Sequence, residues 1–331
     1  MNVSVSHEVV RGLRYDIEEA GAGEPLVLLH GFTGRAANWR PLLPRLAQQW
    51  RVIAIDLPGH GDSGAPASVA RYKMPRVAAD LIELLTRRAA APAHWLGYSM
   101  GGRLALYMAV SHPDVVRSLT LVSATAGLAT AADRQARRAA DEALAARIER
   151  GGVAAFVAEW ERQALFAGLA RLPHETQAAL HDQRLGNSPA GLANSLRGMG
   201  AGAQPSLWSR LASATAPALL IAGAEDAKFV ALNERLASAM PDATLRLIAD
   251  AGHVVQMEQP EAFLAAVTGF LEELRESDGQ GLPQRKEDGE GQRRQRHLPQ
   301  PRVERVQRLR PRHGQPVAHQ QRHGQQIEEL P

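Results

Sequence analysis

Ser99 lies in the run Gly97-Tyr98-Ser99-Met100-Gly101, a G-x-S-x-G pattern. A serine hydroxyl is inert near neutral pH unless a neighbouring base takes its proton. The pattern needs a sharp strand-to-helix turn that exposes the hydroxyl. Small residues two before and two after the serine let strand and helix approach closely. The apolar run Ala93–Tyr98 precedes the serine, and Gly102-Arg103-Leu104-Ala105-Leu106 opens an apolar helical pattern after it. Such a turn expects its partners in the chain order serine, acid, histidine. Ala251-Gly252-His253 follows the last strand-like run and precedes a helix, which makes His253 the candidate base. His112 falls at a helix end beside Pro113, and His174 and His181 read as surface residues. Gly223-Ala224-Glu225-Asp226 also follows a strand-like run, so Asp226 is the candidate acid, with Glu225 as its neighbouring alternative. The acid would fix the histidine tautomer and stabilise the imidazolium. Charge that develops on a bound carbonyl needs backbone N–H donors. Met100 supplies one, and the loop after His30-Gly31 supplies the other at Phe32. His30 itself reads as a brace for that loop.

These residues need a scaffold that brings distant loops together. Residues 1–275 alternate short apolar runs with helical patterns. The runs are Pro25–His30, Arg51–Asp56, Ala93–Tyr98, Ser118–Val122, Ala218–Ala222 and Thr244–Ile248. Helical patterns fall near Trp39–Gln48, Val77–Ala89, Gly102–Val110, Leu232–Ala239 and Pro260–Leu274. Continuous apolar strands that alternate with helices predict an α/β fold, a mostly parallel sheet flanked by helices. Asn2–Glu18 reads as an antiparallel pair at one edge. Residues 127–208 break the rhythm: they are Ala- and Arg-rich and helical. Inserted between two strands, they would lie over the strand C-termini, where open α/β sheets place ligands. The expected organisation is therefore a core of 1–126 and 209–275, an inserted helical cap of 127–208, and a tail of 276–331.

With 331 residues and 45% apolar content the chain can bury a substantial core. No run reaches the roughly 18 apolar residues a bilayer span requires. The first ten residues lack the basic and apolar regions of a signal peptide. The absence of cysteine excludes disulfides and thiolate metal sites and fits a reducing compartment, so the expected location is cytoplasmic. Of the 38 Lys+Arg and 35 Asp+Glu, 11 and 8 lie from Glu276 onward, which leaves 27 of each in the remainder. The basic excess thus belongs to the tail, and no specific nucleic acid is expected as a partner. The tail holds no Phe, Tyr or Trp, so it is expected to be disordered. Its four histidines, His297, His313, His319 and His323, are scattered, and no metal site is expected there.

The set His30-Gly31-Phe32, Asp56-Leu57-Pro58-Gly59-His60-Gly61-Asp62-Ser63, Gly97–Gly101, Asp226 and Gly252-His253 resembles the α/β-hydrolase superfamily over nearly all of 1–275. That fold hosts many chemistries, so it does not name a substrate. Finer features narrow the resemblance. Arg103 stands four residues past the serine, and the cap carries Asp133–Asp141, Phe156–Trp160, Gln183–Asn187, Gly191–Gly200 and Gln204–Trp208. Together with Asp226-Ala227-Lys228-Phe229, this combination is similar to the 2-succinyl-6-hydroxy-2,4-cyclohexadiene-1-carboxylate synthases of menaquinone biosynthesis. The resemblance implies a lyase without a cofactor. It eliminates pyruvate from a small-molecule polycarboxylate, the triad serine removing a ring proton and the oxyanion hole holding charge on the succinyl carbonyl. It also implies that Arg103, Arg137 and Arg184 bind carboxylates and that Tyr98 and Trp160 line the pocket. Arginine's planar fork suits such a substrate. Trp160 reads equally as cap core, and Lys228 is left without a role. The rival reading is a carboxylesterase or C–C bond hydrolase that uses Ser99 as nucleophile. Oligomeric state is not legible.

Overall fold

The structure, a computed structural model, describes residues 2–279 and 302–306. Strands β1 (Ser4–Val10), β2 (Leu13–Ala20), β3 (Pro25–Leu29), β4 (Arg51–Ile55), β5 (Ala93–Tyr98), β6 (Val116–Val122), β7 (Ala218–Gly223), β8 (Ala243–Ile248) and β9 (Arg302–Val306) form one sheet. Their spatial order is β1-β2-β4-β3-β5-β6-β7-β8-β9. β1 with β2 and β2 with β4 run antiparallel, and every other pair is parallel. This is the α/β-hydrolase architecture. The order reverses around β3, so the loops after β3 and β5 flank a crevice at the strand C-termini, the place where open α/β sheets bind ligands.

The strands read as continuous apolar runs because both faces are covered. Side chains alternate between the faces. Val27, Trp95 and Leu220 enter one hydrophobic layer, whereas Leu28, Leu96 and Ile221 enter the other. The covering helices are α1 (Leu43–Leu46), α2 (Met74–Arg87), α3 (Met100–Ser111), α7 (Ala227–Ala239), α8 (Val255–Glu258) and α9 (Pro260–Gly279). Truncating a fully buried leucine such as Leu28 to alanine would cost roughly 2–5 kcal/mol.

Between β6 and β7 stand α4 (Ala131–Trp160), α5 (His174–Leu185) and α6 (Pro189–Met199), with a 3₁₀ turn over Ala164–Arg171. Leu144, Ile148, Phe156, Val157, Trp160, Phe166 and Leu192 pack there into a third apolar cluster. Gly152, at φ 76° and ψ 172°, breaks α4 into two segments.

Two local expectations change. The helical pattern at Trp39–Gln48 becomes a 3₁₀ turn (Ala36–Trp39) and the four-residue α1, because Pro41 and Pro44 each remove a backbone donor. The tail expected to be disordered from 276 continues α9 to Gly279 and adds β9 beside β8. An edge strand such as β8 leaves free backbone groups for another strand to pair with. The remaining tail, with its four histidines, lies outside the described residues.

Candidate active site

β5 ends at Tyr98 and α3 begins at Met100, so Ser99 is the turn itself, at φ 49° and ψ −108°. A non-glycine residue in this left-handed region is strained, and the strain aims its side chain out of the sheet. The flanking glycines make the turn possible. A Cβ on Gly97 would fall on the backbone of Gly101, and one on Gly101 would fall on that of Leu29 and His30.

His253 follows β8 and is 3% exposed. Its Nδ1 donates to Asp226 Oδ2 at 2.8 Å. Asp226 caps α7 with its other oxygen, which accepts from the Phe229 N–H at 3.2 Å. With both oxygens engaged, the carboxylate has one orientation, and the imidazole is held with Nε2 bare. The rings of Phe229 and Tyr98 lie 4.5 and 5.5 Å from the His253 ring. Glu225 turns instead to Arg171 at 2.8 Å. Among the described residues the Ser99 hydroxyl makes no hydrogen bond to His253, although both line one cavity. Such contacts commonly tighten when substrate arrives.

The His253 loop is held from three directions that the sequence reading does not reach. Ser123 Oγ donates to the His253 carbonyl at 2.8 Å. The Glu258 carboxylate accepts from the N–H groups on either side of the histidine, Gly252 at 2.8 Å and Val254 at 3.0 Å. Arg171, from the 3₁₀ turn between α4 and α5, closes on the same carboxylate at 2.9 Å. Periodicity carries no trace of these contacts, since Ser123 lies 130 residues from its partner.

The loop after β3 rests on two buried histidines. His30 accepts the Leu57 N–H at 2.9 Å, and its ring lies 5.1 Å from that of His60, tilted by 55°. Burial pushes His30 down to about 4 and His60 down to about 3, so both are neutral at pH 7. His30 thus serves as the expected brace. Phe32 and Met100 line the cavity. Neither backbone N–H is taken by an acceptor among the described residues.

The cavity has a volume of about 1190 Å³. Nine of the ten sequence-predicted residues line it: Phe32, Tyr98, Ser99, Met100, Arg103, Arg137, Trp160, Arg184 and His253. Asp226 stands behind His253. Burial raises the Tyr98 hydroxyl, which stays protonated. Trp160 belongs both to the apolar cluster and to the cavity lining. It packs 5.4 Å from Phe32, Phe156 and Phe166 and also faces the cavity.

The three arginines differ. Arg103 is 9% exposed and donates to the Met199 carbonyl and to Gln204 Oε1, each at 2.9 Å. No carboxylate lies within ion-pair distance of it among the described residues. Burial first, and then the nearby Arg137 charge, pull it down to about 10 against the opposing Asp141, so it remains a cation at neutral pH. Arg137 pairs with the buried Asp141 at 2.7 Å. Its neighbours turn away: Arg134 bonds the Leu128 and Ala129 carbonyls, and Arg138 bonds that of Arg134. Arg184 pairs with Glu161 at 2.8 Å and lies over the Phe166 ring. Lys228 and Arg235 add two more cations to the lining, against one carboxylate, Asp133. An uncompensated cation in a half-apolar cavity is costly to keep and suits an anionic ligand. Among the described residues no group of three or more histidines and carboxylates could hold a metal ion.

The fold, the Ser99 turn and the His253–Asp226 pair define a class, and the chain belongs to the α/β-hydrolase fold family, whose model matches residues 24–260. Within that class it is similar to a Bacillus subtilis protein provisionally assigned as a 2-succinyl-6-hydroxy-2,4-cyclohexadiene-1-carboxylate synthase. The two are 41% identical over 273 residues, 82% of this chain and 98% of that one. The synthase of that name from Serratia proteamaculans is 34% identical over 258 residues, 77% of this chain and 96% of that one. The solved structure of MenH from S. aureus superposes with a TM-score of 0.75 at 33% identity, covering 79% of this chain and 98% of that one. No helix among the described residues is long and apolar enough to cross a membrane.

Proposed function

We propose that the chain is a carbon–oxygen lyase of menaquinone biosynthesis. It eliminates pyruvate from 2-succinyl-5-enolpyruvyl-6-hydroxy-3-cyclohexene-1-carboxylate to give 2-succinyl-6-hydroxy-2,4-cyclohexadiene-1-carboxylate. The observation that carries this reading is Arg103, a buried cation without a carboxylate partner, one helical turn past Ser99 in the same cavity. A neutral ester would leave that charge unanswered, whereas a substrate with several carboxylates answers it.

His253, oriented by Asp226, takes the Ser99 proton, and the Ser99 oxygen removes the proton at ring carbon 2, next to the succinyl carbonyl. The Phe32 and Met100 N–H groups stabilise the charge that this carbonyl gains. The electrons of the broken C–H bond form the double bond between carbons 2 and 3. The original 3,4 pair moves to carbons 4 and 5, and the bond from carbon 5 to the enolpyruvyl oxygen breaks. Pyruvate enolate leaves and takes a proton on carbon. The balance needs neither water nor an acyl-enzyme. Arg103, Arg137 and Arg184 hold the carboxylates, and Tyr98 and Trp160 flank the ring.

The test gives the purified chain the prepared substrate and, in parallel, a panel of neutral esters. Pyruvate release is expected to exceed that of Ser99→Ala by about 10³-fold or more, with slow ester turnover. Fast ester hydrolysis beside pyruvate release at the spontaneous rate would replace the lyase with a carboxylesterase or C–C bond hydrolase.

A further inference from the structure

Two cations of the cavity wall have no place in the account so far. Arg235, on α7, is exposed, and its guanidinium carbon lies 4.0 Å above the Trp208 ring. That ring is fixed in turn, because Trp208 Nε1 donates to the Gly127 carbonyl at 2.7 Å. An arginine stacked on an anchored indole keeps its fork of donors free and pre-oriented. Lys228 is exposed on the same helix, seven residues earlier, two turns along one face. Neither has a carboxylate within ion-pair distance among the described residues. Asp133, the acid of this wall, caps nothing on α7 and pairs with neither.

The wall is continuous with the inner site. Arg103 bonds Gln204 Oε1, and Gln204 is 1% exposed with its Nε2 unpartnered. A Cβ on Gly127 would lie 3.1 Å from that Nε2. Gly127 then holds Trp208, and Trp208 carries Arg235. A file of donors thus leads from the buried Arg103 to exposed cations where the cavity meets solvent.

We propose that Arg235, seated on Trp208, and Lys228 form an outer carboxylate site at the cavity mouth. It takes one carboxylate of a di- or tricarboxylic substrate while Arg103 takes another inside. Naming the lyase substrate as its ligand rests on the function proposed above; the site itself requires only two carboxylates on one molecule.

The experiment uses the full chain and Lys228→Gln/Arg235→Gln, which keeps much of each stem, with Arg235→Lys as the conservative variant. Binding of tricarballylate and of butyrate is measured by calorimetry, and KM and kcat for the lyase substrate by pyruvate release. The double variant is expected to lose about tenfold in tricarballylate affinity, as two partly exposed charge-assisted contacts would give. Its butyrate affinity should change less than twofold. KM should rise about tenfold, more than kcat falls, and Arg235→Lys should recover part of the loss. Equal weakening towards both acids, or tricarballylate affinity within twofold of wild type, would overturn the outer site and leave the lyase reading standing. A chain that shows the selective loss of tricarballylate but releases no pyruvate would keep the outer site and remove the lyase.

Discussion

At the residue scale the contrast between Arg103 and the other cavity arginines decides most. Arg137 and Arg184 bring their own carboxylates, Asp141 and Glu161, so each enters the site partly neutralised. Arg103 is compensated by a carbonyl and an amide oxygen alone. Replacing it should therefore hurt an anionic substrate far more than a neutral one. Arg103→Ala is expected to lower kcat/KM for pyruvate release by about 10²–10³-fold, a loss of roughly 3–4 kcal/mol, with neutral ester turnover changed less than threefold. Arg103→Lys should recover part, since it restores charge without the fork. Equal losses on both substrate classes would reduce Arg103 to a structural prop. The serine, its acid and its histidine are legible in the sequence because each follows a strand-like run. Arg103 is legible because one helical turn separates it from Ser99. Gln204 and Trp208 are legible only as members of the Gln204–Trp208 run, and Arg235 not at all, because their contacts link segments that no local spacing connects.

At the element scale, two loops support the chemistry and each has a checkable weakness. The His253 loop hangs on Glu258, whose side chain is 2% exposed and which meets Arg171 of the 3₁₀ turn. In Glu258→Gln an amide NH2 replaces one acceptor and faces a backbone N–H. This should cost about 1–3 kcal/mol of stability and lower kcat about tenfold with little change in KM. Arg171→Ala removes an exposed partner and should cost under about 1 kcal/mol. Steady-state kinetics beside urea melts separate the two, and an unchanged kcat in Glu258→Gln would contradict its positioning role. The loop after β3 hangs on the neutral pair His30 and His60. Burial lowers both below their unfolded value, so the unfolded chain binds protons that the folded one refuses. The stabilising contribution is whole above about pH 6.5 and falls as pH drops towards 4, by up to about 1.4 kcal/mol per pH unit for each histidine. Urea midpoints taken from pH 7 to 4 should decline, and His60→Asn should make the decline shallower; a parallel slope in that variant would refute the assignment. The elements themselves are largely legible from apolar runs and their alternation. The exceptions have local causes, Pro41 and Pro44 before β4 and the glycine break in α4.

At the scale of the whole molecule, a mostly parallel sheet brings residues 99, 226 and 253 to the ends of its strands, and the segment between β6 and β7 supplies arginines from above. The alternation of strands and helices makes this architecture legible, and the interruption over 127–208 makes the insertion visible. Arg137 and Arg184 of that Ala-rich segment are held at the cavity by Asp141, Glu161 and the Phe166 ring, contacts that the sequence pattern does not determine. The tail contributes β9, whereas every residue named in the proposed chemistry lies between Phe32 and His253. The central claim is elimination at this cavity, and the direct measurement records pyruvate and the conjugated cyclohexadiene together from one reaction mixture. Wild type should produce the two in a one-to-one ratio from the first turnover, and Ser99→Ala should fall to the spontaneous rate for both. Pyruvate without the diene, or equal rates from wild type and Ser99→Ala, would contradict the account.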